Sequence, residues 1–351
     1  MQRYVAVLRT LVVVLVFATT LSGQSGSSPT DPSSVQQHPE VADAIKVLDA
    51  WIQAEVASRD LPALSIGIVY DQKLVWTKGY GFADLEKKAP ASPSTVYRIA
   101  SITKVFTATA IMQLRDAGKL RLDDPVVKHL PWFRIKNPFP ESRPMTIWNV
   151  LTHTSGLPGE SAGVNWNDLK WPVREEMIRL LSEQEIVSPA GAEFRYSNLG
   201  YAILGEIITA VSGQPYAQYI ENHILKPLGM TTTYVFPKPD TPGLAVGYLR
   251  RAPGVGREVA GFIYRNADMP NIASGNLATS VEDLAKFASL HFRDDPVVGA
   301  HILMGSTLQE MRRVQWLYED WQSGVGLGFE SVRRVDDQVR VSMEGALPGW
   351  E

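Results

Sequence analysis

Residues 101–114 read Ser-Ile-Thr-Lys-Val-Phe-Thr-Ala-Thr-Ala-Ile-Met-Gln-Leu, and this stretch is the most informative part of the chain. The run after Lys104 is apolar on every side, so we predict a buried helix that ends near Gly118. Ser101 and Lys104 are close to one helical turn apart, so the amine should reach the hydroxyl. A buried lysine is costly unless it has a task. Desolvation favours its neutral amine, which can act as a base for an attacking serine.

A second polar motif, Tyr196-Ser197-Asn198, lies in a Gly-rich, aromatic segment just before an apolar helical stretch. A tyrosine and an asparagine brought beside a Ser-Lys pair would complete a nucleophile, its bases and an amide hydrogen-bonding group. The same spacing recurs at Tyr264-Arg265-Asn266, but no apolar helix follows there. We therefore predict that the second copy is a loop.

Three further segments accompany these motifs in a fixed order. They are Leu151-Thr152-His153-Thr154-Ser155-Gly156-Leu157-Pro158, the stretch from Gly275 to Asp283, and Gly324-Val325-Gly326-Leu327-Gly328-Phe329. Taken together, the set resembles the class C β-lactamase-like branch of the serine β-lactamase and penicillin-binding-protein superfamily, which includes β-lactamases, D-amino-acid peptidases and esterases. The resemblance runs from about Val41 to the last residue.

The resemblance implies a role for each matching residue. Ser101 would be the acylated nucleophile, Lys104 and Tyr196 would share proton transfer, and Asn198 would hold the substrate amide. No cofactor is expected, and the substrate would be a small molecule or a peptide.

The family's third motif aligns with Met343-Glu344-Gly345 and the following Ala346-Leu347-Pro348-Gly349. By this alignment Gly345 and Ala346 would bind substrate, with the backbone N–H groups of Ser101 and Ala346 forming an oxyanion hole. The family's cation is replaced by Met343, which cannot pair with a carboxylate, and Glu344 would repel one. This departure argues against a β-lactam as the substrate and much less against an ester.

Two other groups are candidates for chemistry. His153 is predicted to be a structural loop residue, because the Ser-Lys-Tyr arrangement already supplies its bases. Residues 159–163 spell Gly-Glu-Ser-Ala-Gly, but the nucleophile elbow with this pattern needs a strand before it and a helix after it. Neither is indicated here, so we predict that Ser161 is a loop serine. The six histidines have no metal-ligand spacing, so we expect no metal.

The remaining pattern predicts an α/β (α+β) fold with an antiparallel sheet and flanking helices. A helix near Val41–Val56 should precede a hairpin turning at Asp71-Gln72, and strands are expected near 325–329 and 339–343. We predict one sheet built from both ends of the chain, about 40–100 and 300–351, around a mostly helical region, about 101–299. This hydrolase domain would span residues 40–351.

The N-terminus is predicted to be an export signal. Arg3 and Arg9 precede a short apolar run, and small residues follow, so residues 1–23 read as a signal peptide and 24–39 as a flexible linker. The alternative is a membrane anchor; with the signal cleaved, no stable membrane span is expected. Removing Arg3 and Arg9 leaves 32 basic and 37 acidic side chains, which argues against nucleic acid as a partner. The chain has no cysteine, which rules out disulfides and the lipid-carrying cysteine of a bacterial lipoprotein. With the export signal, we predict a periplasmic or secreted bacterial protein.

Members of the family continue past the third motif with more sheet strands and a closing helix. We therefore expect the last strands and that helix to be missing after Glu351. The prediction is a serine hydrolase that forms an acyl-enzyme at Ser101 on an ester, amide or β-lactam substrate. The alternative is a truncated, non-catalytic penicillin-binding-protein-like homologue, against which stands the retention of Ser101, Lys104, Tyr196 and Asn198.

Overall fold

A computed structural model of the protein describes residue 35 and residues 38–249, 256–261, 269–291, 302–335 and 338–350. The predicted signal peptide and the second Tyr-x-Asn motif at 264–266 lie outside these residues. The helices are α1 (Pro39–Ser58), α2 (Thr103–Asp116), α3 (Val126–His129), α4 (Ile147–Leu151), α5 (Arg174–Leu181), α6 (Asn198–Ser212), α7 (Tyr216–Ile220), α8 (Ile272–Gly275), α9 (Val281–Ser289) and α10 (Gly305–Met311).

The strands are β1 (Ala63–Tyr70), β2 (Lys73–Asp84), β3 (Ala89–Pro90), β4 (Val96–Arg98), β5 (Tyr248–Leu249), β6 (Glu258–Val259), β7 (Ala278–Ser280), β8 (Trp316–Leu317), β9 (Ser323–Val325), β10 (Ser331–Val335) and β11 (Gln338–Ser342). A 3₁₀ turn, Ala100–Ile102, joins β4 to α2, and a π-helical turn, Glu221–Leu225, follows α7. The predicted α/β class with antiparallel sheets and flanking helices is confirmed.

Helix α2 lies at the centre of the fold, as its all-round apolar sequence predicts. Every residue from Thr103 to Met112 is buried, and the helix packs against α6 and α8. The chain leaves the helix through Gly118, whose φ of +68° is a conformation that glycine adopts without strain. The residues at its start are therefore held in the core by contacts on all sides.

The N-terminal hairpin forms where the sequence predicts it. Strands β1 and β2 pair antiparallel, and the turn residues Asp71 and Gln72 both have positive φ, as the tight turns of hairpins require. Helices α1 and α9 both pack against this hairpin, and β3 pairs with β2 to complete a three-stranded sheet.

The prediction of one sheet built from both ends of the chain is wrong for the described residues. Strands β8–β11 form a separate four-stranded sheet in the order β11-β10-β9-β8. The reason is local pairing: each of these strands meets its neighbour in sequence across a short connection, and β2 takes β3 as its second partner.

The strand expected near residues 325–329 is also shorter and earlier than predicted. The structure has β9 at Ser323–Val325, and the chain then turns through Gly328, which has φ +90°. A Cβ at Gly328 would lie 2.6 Å from the Cβ of Ala108, so the backbone packs directly on α2. Burial against a helix therefore explains the apolar residues of this segment, and strand pairing does not.

No helix within the described ranges is both long and apolar enough to cross a bilayer.

Candidate active site

The side chains of Ser101 and Lys104 meet at the start of α2. Ser101 lies in the 3₁₀ turn, directly after Ala100, whose φ of +44° is strained for a residue with a side chain. One turn later, Lys104 is completely buried, and its Nζ lies 3.0 Å from Oγ of Ser101. The predicted one-turn proximity is therefore present, and the surrounding core holds the lysine in place.

Acceptors surround the amine of Lys104. Its Nζ donates to Oδ1 of Asn198 at 2.7 Å and to the backbone oxygen of Ser274, also at 2.7 Å. Both partners are acceptors only at these atoms, so they use two N–H bonds. The protonated amine also donates to Oγ of Ser101. In its neutral form the amine would keep two N–H bonds, and its lone pair would be in position to accept the hydroxyl proton of Ser101.

Tyr196 completes the group around the serine. Its hydroxyl donates to Oγ of Ser101 at 2.7 Å, although the two residues are 95 positions apart. Burial raises the pKa of Tyr196 above its ordinary value, and the charges of Glu330 and Glu160 add to the shift, while the hydrogen bond to Ser101 opposes it. The phenol therefore stays protonated near neutral pH and acts as a donor.

Tyr196 and Asn198 flank the residue that caps the N-terminus of α6. Ser197 is the N-cap, with extended backbone and a side chain that accepts from the N–H of Gly200. A serine at this position satisfies one of the free N–H groups at the start of a helix. Because the chain changes direction at Ser197, Tyr196 and Asn198 both reach the Ser101–Lys104 pair.

His153 contacts the two residues that precede Asn198. Its Nδ1 accepts from the backbone N–H of Ser197 at 3.0 Å, and its ring stacks on Tyr196 with centroids 4.5 Å apart. Burial, together with the charge of Lys104, lowers the pKa of His153 to about 3. The ring is therefore neutral, and its Nδ1 is already used as an acceptor. In this state His153 holds Ser197 and Tyr196 in position, which is a structural role of the kind predicted for it.

The Gly-Glu-Ser-Ala-Gly loop lies against the site through its glutamate. Oε1 of Glu160 accepts from Nδ2 of Asn198 at 2.7 Å, a contact that the sequence analysis missed. Ser161, in contrast, donates only to the backbone oxygen of its neighbour Ala162 among the described residues. No spacing signal marks Glu160, because it reaches the site only when this loop packs on the start of α6.

The third motif also reaches the backbone at Ser101. A Cβ at Gly345 would lie 2.2 Å from the backbone oxygen of Ile99 and 3.0 Å from the backbone nitrogen of Ser101. Only glycine lets the two chain segments approach this closely. The turn that follows is closed by a reciprocal pair of backbone hydrogen bonds between Leu347 and Trp350.

The two residues before Gly345 have different surroundings. Met343 is partly buried against the main apolar cluster, whereas Glu344 is exposed. Neither supplies the positive charge that the family carries at this motif. In the described part of the chain, no group of three or more His, Cys, Asp or Glu side chains could hold a metal ion.

The fold and the Ser-Lys-Tyr arrangement define a class, that of the serine β-lactamase and penicillin-binding-protein-like folds. The Beta-lactamase family model matches residues 48–349, and the chain belongs to this family.

Relatives with known sequences are similar over different lengths. Protein flp of Staphylococcus aureus (strain MW2) is 39% identical over 191 residues, which are 54% of this chain and 38% of flp. Beta-lactamase-like protein 2 of Dictyostelium discoideum is 28% identical over 352 residues, covering 97% of this chain and 62% of that protein. In both cases the match spans less than two thirds of the relative's length.

Solved structures share the fold. The octameric penicillin-binding protein homologue from Pyrococcus abyssi is 32% identical with a TM-score of 0.73, covering 86% of this chain and 68% of its own. The penicillin binding protein from Bacillus halodurans is 26% identical with a TM-score of 0.64, covering 82% and 84%. EstCE1, a hydrolase with promiscuous acyltransferase activity, matches in fold at 23% identity and a TM-score of 0.69, covering 81% of each chain.

Proposed function

We propose that the protein is a serine hydrolase that forms an acyl-enzyme at Ser101 and acts on an ester, an amide or a β-lactam. The observation that carries the proposal is the convergence of two groups on Oγ of Ser101, Nζ of Lys104 at 3.0 Å and the hydroxyl of Tyr196 at 2.7 Å. One group can accept the serine proton and the other can donate, which is what nucleophilic catalysis by serine requires.

The geometry supports a simple sequence of steps. Oγ of Ser101 attacks the carbonyl carbon of the substrate while its proton passes to the neutral amine of Lys104. The bond to the leaving group then breaks, and the leaving group takes a proton from the Lys104–Tyr196 pair. Water attacks the carbonyl carbon of the resulting ester and gives one proton to the same pair. The bond between Oγ and the acyl carbon then breaks, Oγ takes that proton back, and the acid leaves.

The proposal is tested by locating the acyl group. The protein is mixed with a p-nitrophenyl ester, quenched in acid during the burst of p-nitrophenol release, digested and examined by mass spectrometry. The acyl mass is expected on the peptide that contains Ser101. An acyl group on another residue, or release of p-nitrophenol with no adduct and no burst, would contradict an acyl-enzyme at this serine.

Gly345→Ala should lower kcat/KM for the ester by about a hundredfold. The added Cβ cannot coexist with the backbone oxygen of Ile99, so the third-motif segment must move away from Ser101. The proposed oxyanion hole uses the N–H of Ala346, the next residue, and loss of one such donor costs about 10²–10³ in rate.

Gly256→Ala is the matched control for this change, because a Cβ there meets nothing within 4 Å. It should hydrolyse the ester as the parent protein does. Equal rates in Gly345→Ala and Gly256→Ala would show that the backbone of the third motif does not take part in the proposed mechanism.

The proposed substrate preference follows from Met343 and Glu344. A short neutral ester should have a higher kcat/KM than a cephalosporin, because no cation at this motif neutralises the cephalosporin carboxylate. Met343→Lys can extend its amine to solvent from a partly buried position and should improve the cephalosporin relative to the ester by about tenfold.

Met304→Lys places the same charge at an exposed methionine outside the site and should leave the ratio unchanged. A parent protein that already prefers the cephalosporin would show that another group neutralises the carboxylate.

A further inference from the structure

A carboxylate lies beside the predicted substrate-binding asparagine. Oε1 of Glu160 accepts from Nδ2 of Asn198 at 2.7 Å and from the indole N–H of Trp166 at 3.2 Å. Glu160 is partly exposed, so its carboxylate is not fully screened from solvent. The proposed steps of acylation and hydrolysis make no use of this side chain.

The carboxylate fixes the orientation of the asparagine amide. Only the NH₂ end of that amide can donate to Glu160, so its oxygen must face Nζ of Lys104, as observed at 2.7 Å. The second N–H of Nδ2 is not required by either contact, and it can donate to a substrate carbonyl. A substrate held by Asn198 would then be next to the charge of Glu160.

The positive charge of Lys104 is buried, whereas two further acidic residues lie close to the site. Glu330 as well as Glu160 raises the pKa of Tyr196, so both carboxylates act at the hydroxyl that contacts Ser101. Glu344 adds an exposed carboxylate directly before Gly345. The buried amine of Lys104 faces Oγ of Ser101 and also donates to Asn198 and to the backbone of Ser274.

We propose that Glu160 makes this site selective for acyl groups that carry a positive charge close to the scissile carbonyl, such as ammonio-acyl or trimethylammonio-acyl esters and amides. The selectivity rests on the proposed acyl-enzyme at Ser101 and names its substrate class. A cation held by Asn198 would be attracted by the Glu160 carboxylate, whereas an anionic acyl group would be repelled.

The test uses two esters of nearly identical shape. The p-nitrophenyl esters of trimethylammonioacetate and of 3,3-dimethylbutanoate differ in having a charged nitrogen or a neutral carbon at the same position. Each kcat/KM is divided by the rate of uncatalysed hydrolysis, which removes the difference in intrinsic reactivity. The cationic ester is expected to be favoured by about tenfold, which corresponds to about 1.4 kcal/mol.

Glu160→Gln keeps an acceptor for Asn198 and removes the charge, so the tenfold preference should disappear. Glu40→Gln, at an exposed glutamate in the first turn of α1, is the matched control and should keep the preference. The same ratio in Glu160→Gln and in the parent protein would overturn the proposal. Loss of the preference in Glu344→Gln but not in Glu160→Gln would overturn the proposal too. In that case Glu344 of the third motif, and not Glu160, would cause the preference for the cationic ester.

Labelling with a neutral fluorophosphonate distinguishes a failure of the Glu160 role from a failure of the proposed acyl-enzyme at Ser101. A protein that is labelled at Ser101 but shows no charge preference retains the proposed function and contradicts only the role of Glu160. A protein that neither reacts with the probe at Ser101 nor hydrolyses either ester contradicts the proposed function, and the role of Glu160 is then wrong with it.

Discussion

Ser101→Ala should reduce ester hydrolysis by about four orders of magnitude or more and should abolish labelling by a fluorophosphonate. The substitution removes the oxygen on which Lys104 Nζ and the Tyr196 hydroxyl converge, so no covalent intermediate can form there. The alanine leaves the buried surroundings of the turn intact. Rates with a p-nitrophenyl ester and the extent of probe labelling, measured on protein with an unchanged denaturant midpoint, check this result.

Ser161→Ala is the control, because Ser161 lies in the only other serine motif that resembles a nucleophile. Its hydroxyl donates to the backbone of its neighbour, so its loss should change the rate by less than about threefold. Labelling that persists in Ser101→Ala and disappears in Ser161→Ala would move the nucleophile to the Gly-Glu-Ser-Ala-Gly loop.

Lys104→Met should lower the rate of acylation by about 10³–10⁴. Methionine fills a similar volume in this fully buried position but cannot accept the proton of Ser101. It also leaves Oδ1 of Asn198 and the backbone oxygen of Ser274 without their donor, at a cost of about 1–3 kcal/mol each. Part of that cost is offset because a polar amine is no longer buried. Pre-steady-state burst rates separate the loss of acylation from any loss of folded protein.

Lys104→Arg distinguishes a base from a simple positive charge. Arginine keeps the charge but does not lose its proton in proteins, so it should be as inactive as methionine. An arginine variant that retains a tenth or more of the parent rate would show that Lys104 acts through its charge and that the serine proton goes elsewhere.

The parts of the fold that depend on neighbouring residues were predictable from the sequence. The buried helix α2 and the hairpin turn at Asp71 and Gln72 formed where expected. Each is encoded within a few positions, by all-round apolar residues or by turn chemistry. The one-turn spacing of Ser101 and Lys104 is local in the same sense.

Tyr196 and Asn198 could be assigned only by the order of the motifs. They lie more than ninety positions from the serine and lysine they contact, and no periodicity links them. In the structure, Lys104 lies within hydrogen-bonding distance of Ser101 and Asn198, and Tyr196 lies within that distance of Ser101. The catalytic roles of these residues stay predictions.

The tertiary structure alone decided three features of this protein. It put Glu160 on Asn198, it brought Gly345 against the backbone of Ile99, and it placed the strands of the two ends of the chain in separate sheets. In the first two cases the partners are distant in sequence and meet because loops pack across the core. The sequence by itself determined the family and the local elements, since these depend on residue type and short spacing. The surroundings of the proposed nucleophile depend on how those elements pack, which no local pattern specifies.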